Sequence, residues 1–178
     1  ISSAPDYVDL SDEGEIDWMH WGRSGTGYNR KDGVNLQIGN YSKIGSGTVS
    51  RYADDDVVFS WDDGTPREVA YDVEGMVMTT GKGNGFKISV PAGTGQRTLK
   101  LYVGVRGSKG RLEASLSDGS AEPYIGYIQS SGASVYGVFV IKFEAASDNR
   151  VLNIKYTVDT SNPGTSEKIM LQAAALYD

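Results

Sequence analysis

The chain has 178 residues, no cysteine, one histidine and 23 glycines, and 23 acidic residues against 17 basic ones give it a net charge of −6. That length predicts a single domain with a full hydrophobic core. The missing cysteines exclude disulfides, thiolate zinc sites and a thiol nucleophile, and one histidine excludes His-rich metal centres. An isoelectric point near 4.8 argues against nucleic acid and anionic membranes, which select basic faces.

The opening Ile1-Ser2-Ser3-Ala4-Pro5 carries neither an initiator Met nor a charged-then-apolar signal region, and no apolar run reaches the length of a membrane span. The expectation is a piece of a longer, secreted, multi-modular parent with covalently attached neighbouring domains. Residues 1–9 read as a leader or linker, and 10–178 as one domain. Period-two alternation then recurs in short runs separated by glycine-rich turns, the pattern of an all-β chain. Candidate strands begin with Ile16–Trp21, Val34–Gly39, Val57–Trp61, Glu68–Asp72 and Gly75–Thr80. Phe86, Ile88 and Val90 alternate with Lys87 and Ser89, and Pro91, lacking an N–H, is expected to end that strand.

The clearest run is Thr98 to Val105, with Leu99, Leu101, Val103 and Val105 on one face. Leu112, Ala114 and Leu116 form the next stripe, closed by the turn Ser117-Asp118-Gly119-Ser120. Phe139, Ile141 and Phe143 repeat the pattern, and Leu152, Ile154, Tyr156 and Val158 alternate with Asn153, Lys155 and Thr157. Ser130–Ser134 and Ser161–Thr165 are of loop length only. In the last segment, Lys168 to Leu176, Gln172-Ala173-Ala174-Ala175 favours helix by propensity, while a closing strand fits a jelly roll; the strand is the stronger reading. About 10–12 strands with one wet face predict a two-sheet antiparallel β-sandwich of jelly-roll type.

Candidate chemistry sits in the aromatic clusters. In Asp17-Trp18-Met19-His20-Trp21-Gly22, strand geometry divides Trp18 and His20 from Trp21, so one indole points inward and one outward, or both pack under loops. Core packing is the simpler use of such rings; the functional one is a platform for the apolar face of a sugar. Tyr28, Arg30 and Lys31 offer stacking and donors, or else a solvated hairpin turning at Asp32-Gly33. Trp61 beside Asp62, Asp63 and Gly64 combines a ring with hydrogen-bonding acids in a turn that needs Asp-Gly for its own geometry. Structural calcium is the one cofactor these residues suggest. Its candidate ligands are Asp54-Asp55-Asp56 and Asp12-Glu13, neither with EF-hand spacing. No pair of carboxylates stands out as a glycosidase dyad, and Gly81-Lys82-Gly83-Asn84-Gly85 is not a phosphate loop, since a strand follows.

Taken together, Val8-Asp9-Leu10, Asp17 to Gly22, Asn29-Arg30-Lys31, Phe59 to Pro66, Gly85-Phe86, Val90-Pro91-Ala92, Leu101 to Gly104, Leu116 to Ala121 and Leu171 to Ala174 resemble bacterial extracellular β-sandwich accessory domains. Such domains are similar to carbohydrate-binding modules appended to glycoside hydrolases and other secreted multi-domain proteins. The resemblance implies a non-catalytic, extracellular module that binds a polysaccharide or glycan and neither inserts into membranes nor binds nucleic acid. The expected contacts are stacking by one or two rings among Trp18, Trp21, Tyr28 and Trp61, with Arg30, Lys31, Asp62 and Asp63 bonding hydroxyls. One alternative is a structural or adhesin-type spacer, which requires all three tryptophans to be buried. The other is a small polysaccharide hydrolase or lyase, which requires a cleft holding His20 or a tyrosine beside Arg or Lys.

Overall fold

The computed structural model describes residues 1–161 and 166–178. The expected loop Ser161–Thr165 therefore lies, beyond its first residue, outside the described part. In chain order the elements are β1 (Ser2–Ser3), β2 (Tyr7–Asp9), α1 (Leu10–Glu13), β3 (Asp17–Trp21), β4 (Tyr28–Lys31), β5 (Ser42–Ile44) and β6 (Ser50–Ala53). Next come β7 (Val58–Trp61), β8 (Gly64–Thr65), β9 (Ala70–Val73), β10 (Gly75–Thr79), β11 (Gly85–Ala92) and β12 (Arg97–Arg106). The last are β13 (Ser108–Leu116), β14 (Tyr124–Gln129), β15 (Ser134–Phe143), β16 (Arg150–Ser161) and β17 (Lys168–Tyr177).

These strands make an all-β antiparallel sandwich with an extra layer. A nine-stranded sheet runs β1-β15-β12-β17-β3-β4-β8, and β10 and β6 join it through the other half of β17. A five-stranded sheet, β14-β13-β16-β11-β5, packs on one face of it. Leu99, Leu101, Phe139, Leu171 and Leu176 meet Phe86, Ile88, Leu112, Ile154 and Tyr156 in the larger core. A small sheet, β2-β7-β9, covers the opposite face, where Val8, Phe59, Trp61 and Val73 meet Trp18, Met76, Tyr102 and Met170. Its β2–β7 pair is the one parallel pairing among the described strands. The nine-stranded sheet is thus the middle of three layers.

Burial on both faces explains the ambiguous C-terminal segment. Every residue of β17 from Lys168 to Leu176 is buried, so no polar stripe survives to mark a strand. Ala173 packs toward the small sheet and Ala174 toward the five-stranded one, and small side chains suit a layer enclosed on both sides. Between Tyr102 and Val103 the β12–β17 register slips by one residue, leaving Gln172 as the bulge.

Three expectations are corrected. Residues 1–9 are not a leader: β1 pairs with β15, β2 pairs with β7, and Val8 is buried. Val34–Gly39 is not a strand. Its backbone donors go elsewhere, Gln37 and Ile38 N–H to the Asp17 carboxylate at 2.8 and 2.9 Å and Gly39 N–H to Ser89 C=O at 2.9 Å. Pro91 does not end its strand, since β11 continues to Ala92 with Pro91 opposite Val151. On the other side β11 is paired to β5 only through Gly85–Lys87, and a proline facing an unpaired edge withholds no ladder bond.

Where β3 and β10 divide the edge of β17, backbone packs on backbone. A Cβ built on Gly75 would lie 2.0 Å from Gly22 O, and one on Gly22, whose φ is +85°, 2.3 Å from the Met76 carbonyl carbon. Gly75→Ala is expected to destabilise the fold by about 2–3 kcal/mol through overpacking, and Gly22→Ala by at least as much because strain at positive φ adds. Chemical denaturation midpoints check both. A change under about 0.5 kcal/mol at either site would show that this crossing can relax.

Candidate functional site

The residues expected to carry binding are assembled by the fold in two places, and most are closed to solvent. Trp18, Trp21 and Trp61 are 0, 0 and 1% exposed. Each indole N–H is satisfied internally: Trp18 donates to Asp63 Oδ1 at 2.8 Å, Trp21 to Asn40 Oδ1 at 2.8 Å and Trp61 to Arg67 C=O at 2.9 Å. Trp18 also tilts against Trp61 with ring centroids 5.2 Å apart. None of the three offers a ring face to a ligand, which corrects their assignment as stacking residues. The physical reason is burial of the middle sheet on both sides: the small sheet, to which Trp61 belongs, lies over the face that Trp18 and His20 share, and Trp21 on the other face is enclosed in the larger core.

Asp63 is the hub of that cluster. Its Oδ1 accepts from Trp18 and, at 2.7 Å, from the Ser11 hydroxyl, and its Oδ2 lies 2.7 Å from Lys31 Nζ. Partial burial pushes its carboxyl up, but the hydrogen bonds from Lys31, Ser11 and Trp18 outweigh this and hold it below the usual carboxylate range. Asp63 and Lys31 therefore serve each other and the core. Asp62 is exposed on a depression of about 460 Å³ that Asp32, Thr65, Pro66 and Glu68 also line. Tyr28 and Arg30 lie on the opposite face of β4 from Lys31, because Arg30 is opposite Met19 and Tyr28 opposite Trp21. Tyr28 is 41% exposed, and Arg30 bonds the Lys31 and Val34 carbonyls. The eight residues do not form one platform.

His20 is enclosed between Phe59 and Trp61, with ring centroids at 5.2 and 5.3 Å. Neither ring nitrogen makes a well-formed hydrogen bond. Burial, joined by the charges of Arg23 and Arg51 and only partly opposed by the Gly75 backbone, lowers its pKa to about 3. It is a neutral core residue with no opening to a substrate. Of the proposed calcium ligands, Glu13 is ion-paired with Lys100 in a depression of about 300 Å³ against α1, with Asp12, Glu15 and Tyr177 on its walls. The carboxylates of Asp54, Asp55 and Asp56 lie within 4.8 Å of one another. The charge of Asp54, with some burial and the charges of Asp55 and Asp6, raises the Asp56 pKa. Among the described residues these three are the group that can gather round a hard cation.

One broad sheet face stays open. The five-stranded sheet turns Phe86, Leu112, Ile154 and their neighbours inward, and among the described residues no sheet is stacked on its other side. Register places Ile125, Glu113, Lys155, Lys87 and Ser42 in one row across all five strands. Tyr127, Arg111, Thr157, Gly85 and Ile44 make the next row, and Ser115, Asn153 and Ser89 a third. Four inter-strand steps of ~4.8 Å make the strip about 19 Å wide. Tyr127 is 43% exposed, with Lys109 Nζ 4.0 Å from its ring centroid. Glu113 takes Arg111 at 2.8 Å and Lys155 at 3.6 Å, and the Arg111 hydrogen bond above all holds its carboxyl below the usual range. Sequence reasoning missed this face, although the alternation of Lys87, Ser89, Asn153, Lys155 and Thr157 with core residues was its signal.

No protein-family model and no curated protein matches the chain. Among solved structures, TmCBM61 in complex with β-1,4-galactotriose is similar at a TM-score of 0.46, with 12% identity over 77% of this chain and 87% of that one. The enzymatically active domain of tailspike protein 4 of bacteriophage CBA120 is similar at 0.45 and 10% identity, over 79% of this chain and 19% of that one. The carbohydrate-binding module CBM36 in complex with calcium and xylotriose is similar at 0.39 and 7% identity, over 78% and 99%.

Two outcomes follow from the closed cluster. With its pKa lowered in the fold, His20 leaves the unfolded chain binding the extra proton below the ordinary value of 6.5. Stability falls as pH drops from 6.5 toward 3, by about 1.4 kcal/mol per unit at most. His20→Phe is expected to flatten the denaturation free energy between pH 6.5 and 5, where carboxylates remain ionised; an unchanged slope there refutes the assignment. Asp63→Ala strands the Trp18 N–H and the Lys31 ammonium and is expected to cost about 2–4 kcal/mol, read from the urea midpoint at pH 7.

Proposed function

We propose that this chain is a non-catalytic glycan-binding module of a secreted multi-modular protein, and that its contact surface is the open face of the five-stranded sheet. The observation that carries the reading is the composition of that face. An exposed tyrosine ring stands beside a strip of Arg, Lys, Glu, Asn, Thr and Ser side chains held in register by five paired strands. A sugar presents an apolar C–H face bounded by hydroxyls, and such a strip answers both, the ring by stacking and the polar groups by hydrogen bonding. A pleated sheet holds these groups without further ordering of the backbone, which limits the entropic cost of binding. The contact is shallow, so single-site affinity is expected to be weak and avidity from attached domains would supply the rest.

A second reading is supported by a specific observation. A structural or adhesin-type spacer requires the three tryptophans to be buried, and they are. The two readings part on binding. Affinity electrophoresis through gels containing plant, algal and microbial polysaccharides is expected to retard the chain, and Tyr127→Ala to weaken that retardation about tenfold. Tyr28→Ala, off this face, should leave it unchanged. No retardation by any polysaccharide leaves the spacer reading standing, and loss in the Tyr28 variant alone would move the site to β4.

A further inference from the structure

The open face has a charge opposite to that of the whole chain. Against a net charge of −6, it carries Lys87, Lys109, Arg111 and Lys155, balanced among the described residues by Glu113 and Asp159. Lys109 lies 3.7 Å from Asp159, while Arg111 and Lys155 share Glu113. Lys87 is exposed and makes no ion pair among the described residues.

Its register partner sharpens the point. Lys87 stands directly opposite Lys155 on the antiparallel pair β11–β16, which places their Cβ atoms about 5 Å apart, and like charges so placed repel. Lysines often protect the edges of sheets from unwanted pairing, but here Lys155 is paired to both Lys87 and Glu113, and Lys87 to both Lys155 and Ser42, so neither position lies on an unpaired edge. Edge protection does not account for them. The next outward pair along the same strands is Asn153 opposite Ser89, and neither side chain is hydrogen-bonded among the described residues. The Lys87 ammonium, a carboxamide and a hydroxyl are therefore left without an internal partner among the described residues, beside a Lys155 ammonium that has only a shared carboxylate 3.6 Å away.

Resting on the glycan reading above, we infer that the polysaccharide recognised is anionic, with an oxyanion of the chain seated between Lys87 and Lys155. Charge-assisted hydrogen bonds from the two ammonium groups hold that group, and Asn153 and Ser89 bond its free oxygens or the neighbouring hydroxyls. An anion placed there cancels the repulsion within the pair, so binding and relief of an unfavourable contact coincide. The abundant acidic residues elsewhere on the chain confine a polyanion to this strip and disfavour partners with dense, continuous negative charge, such as a nucleic acid duplex.

The test compares polymers that differ in charge alone. Affinity electrophoresis is run with polygalacturonate and its fully methyl-esterified form, and with dextran sulfate and dextran. The expected result is retardation by at least one charged polymer, about fivefold or more above its neutral counterpart and weakened by added salt. Lys87→Gln and Lys155→Gln are each expected to reduce it by about fivefold, while the unfolding midpoint at low salt stays level or rises. Retardation by dextran sulfate alone supports the inference with a sulfate as the anion, and by polygalacturonate alone with a carboxylate. Equal retardation by charged and neutral forms, or no effect of either lysine substitution, overturns the charge inference and leaves the glycan reading intact. Retardation by no polysaccharide overturns both. Binding of single-stranded polythymidylate as tight as that of the polysaccharide overturns the carbohydrate assignment.

Discussion

Burial of the nine-stranded sheet on both faces is the constraint from which the rest of this structure follows. A sheet with one wet face can place polar side chains at every second position; a sheet in the middle layer cannot. β17 answers with an unbroken buried run, and β3 with five buried residues in succession. Polar groups that enter such a layer must find partners inside it. The Asp17 carboxylate does so on the Gln37 and Ile38 amides, and the Trp18 indole does so on Asp63. His20 and the bulged Gln172 stay short of partners, and a neutral imidazole is the form that survives there. Close backbone contact at Gly22 and Gly75 belongs to the same constraint, since two strands must share one edge of β17 without a gap.

The constraint also decides where ligand contact can occur. With the small sheet over one side and the five-stranded sheet over the other, the aromatic cluster around Trp18, His20, Phe59 and Trp61 becomes a second core. Its polar rim, Asp63 with Lys31 and Ser11, is engaged in holding strands and α1 together. A carboxylate that already accepts from an indole, a hydroxyl and an ammonium has little capacity left for a hydroxyl of a ligand. The outer face of the small sheet carries exposed Tyr7 and Tyr71, but its strands are only three or four residues long. The five-stranded sheet is the layer whose alternation stays intact, and alternation is what presents a patterned face.

Much of this was legible in the sequence, and for a definite reason. Runs such as Phe86–Val90, Thr98–Val105 and Leu152–Val158 alternate because each faces the larger core on one side, so strand and core residues could be read together. β17 reads as a strand only against a helical alternative, because a segment buried on both faces has no period to decide between them. The tryptophans misled for a different reason: β7 and most of β9 were legible as the candidate strands Val57–Trp61 and Glu68–Asp72, but β2 was not, and nothing in the sequence marked that the three form a cover over Trp18 and His20. Val34–Gly39 shows the limit of alternation itself, since its polar and apolar residues fit a strand while its amides are taken by Asp17 and Ser89. Lys87 and Lys155 were both visible as wet positions of their strands. That they stand opposite each other depends on register across nearly 70 residues of sequence, and register between distant strands is set by packing that local pattern does not encode.

A like-charged cross-strand pair at the centre of a sheet costs about 0.2–1 kcal/mol and is softened by salt. Against a total stability of about 5–15 kcal/mol for a domain, that is tolerable, which is why such a pair can persist without a structural purpose. The surroundings argue that it has one. The simplest remedy for the repulsion, an acidic residue beside Lys87, is absent among the described residues, although 23 acidic residues are available to the chain. Glu113 is shared by Arg111 and Lys155, one carboxylate between two cations, so an excess positive charge already lies beside Lys87 and the unpaired ammonium adds to it. Concentrated charge next to free amide and hydroxyl donors is how a shallow surface gains selectivity, because desolvating two ammonium groups is favourable only for a partner that returns the charge. A neutral polysaccharide laid on this strip would bury Lys87 without compensation. An anionic one would not, and the same contact that rejects the first recruits the second.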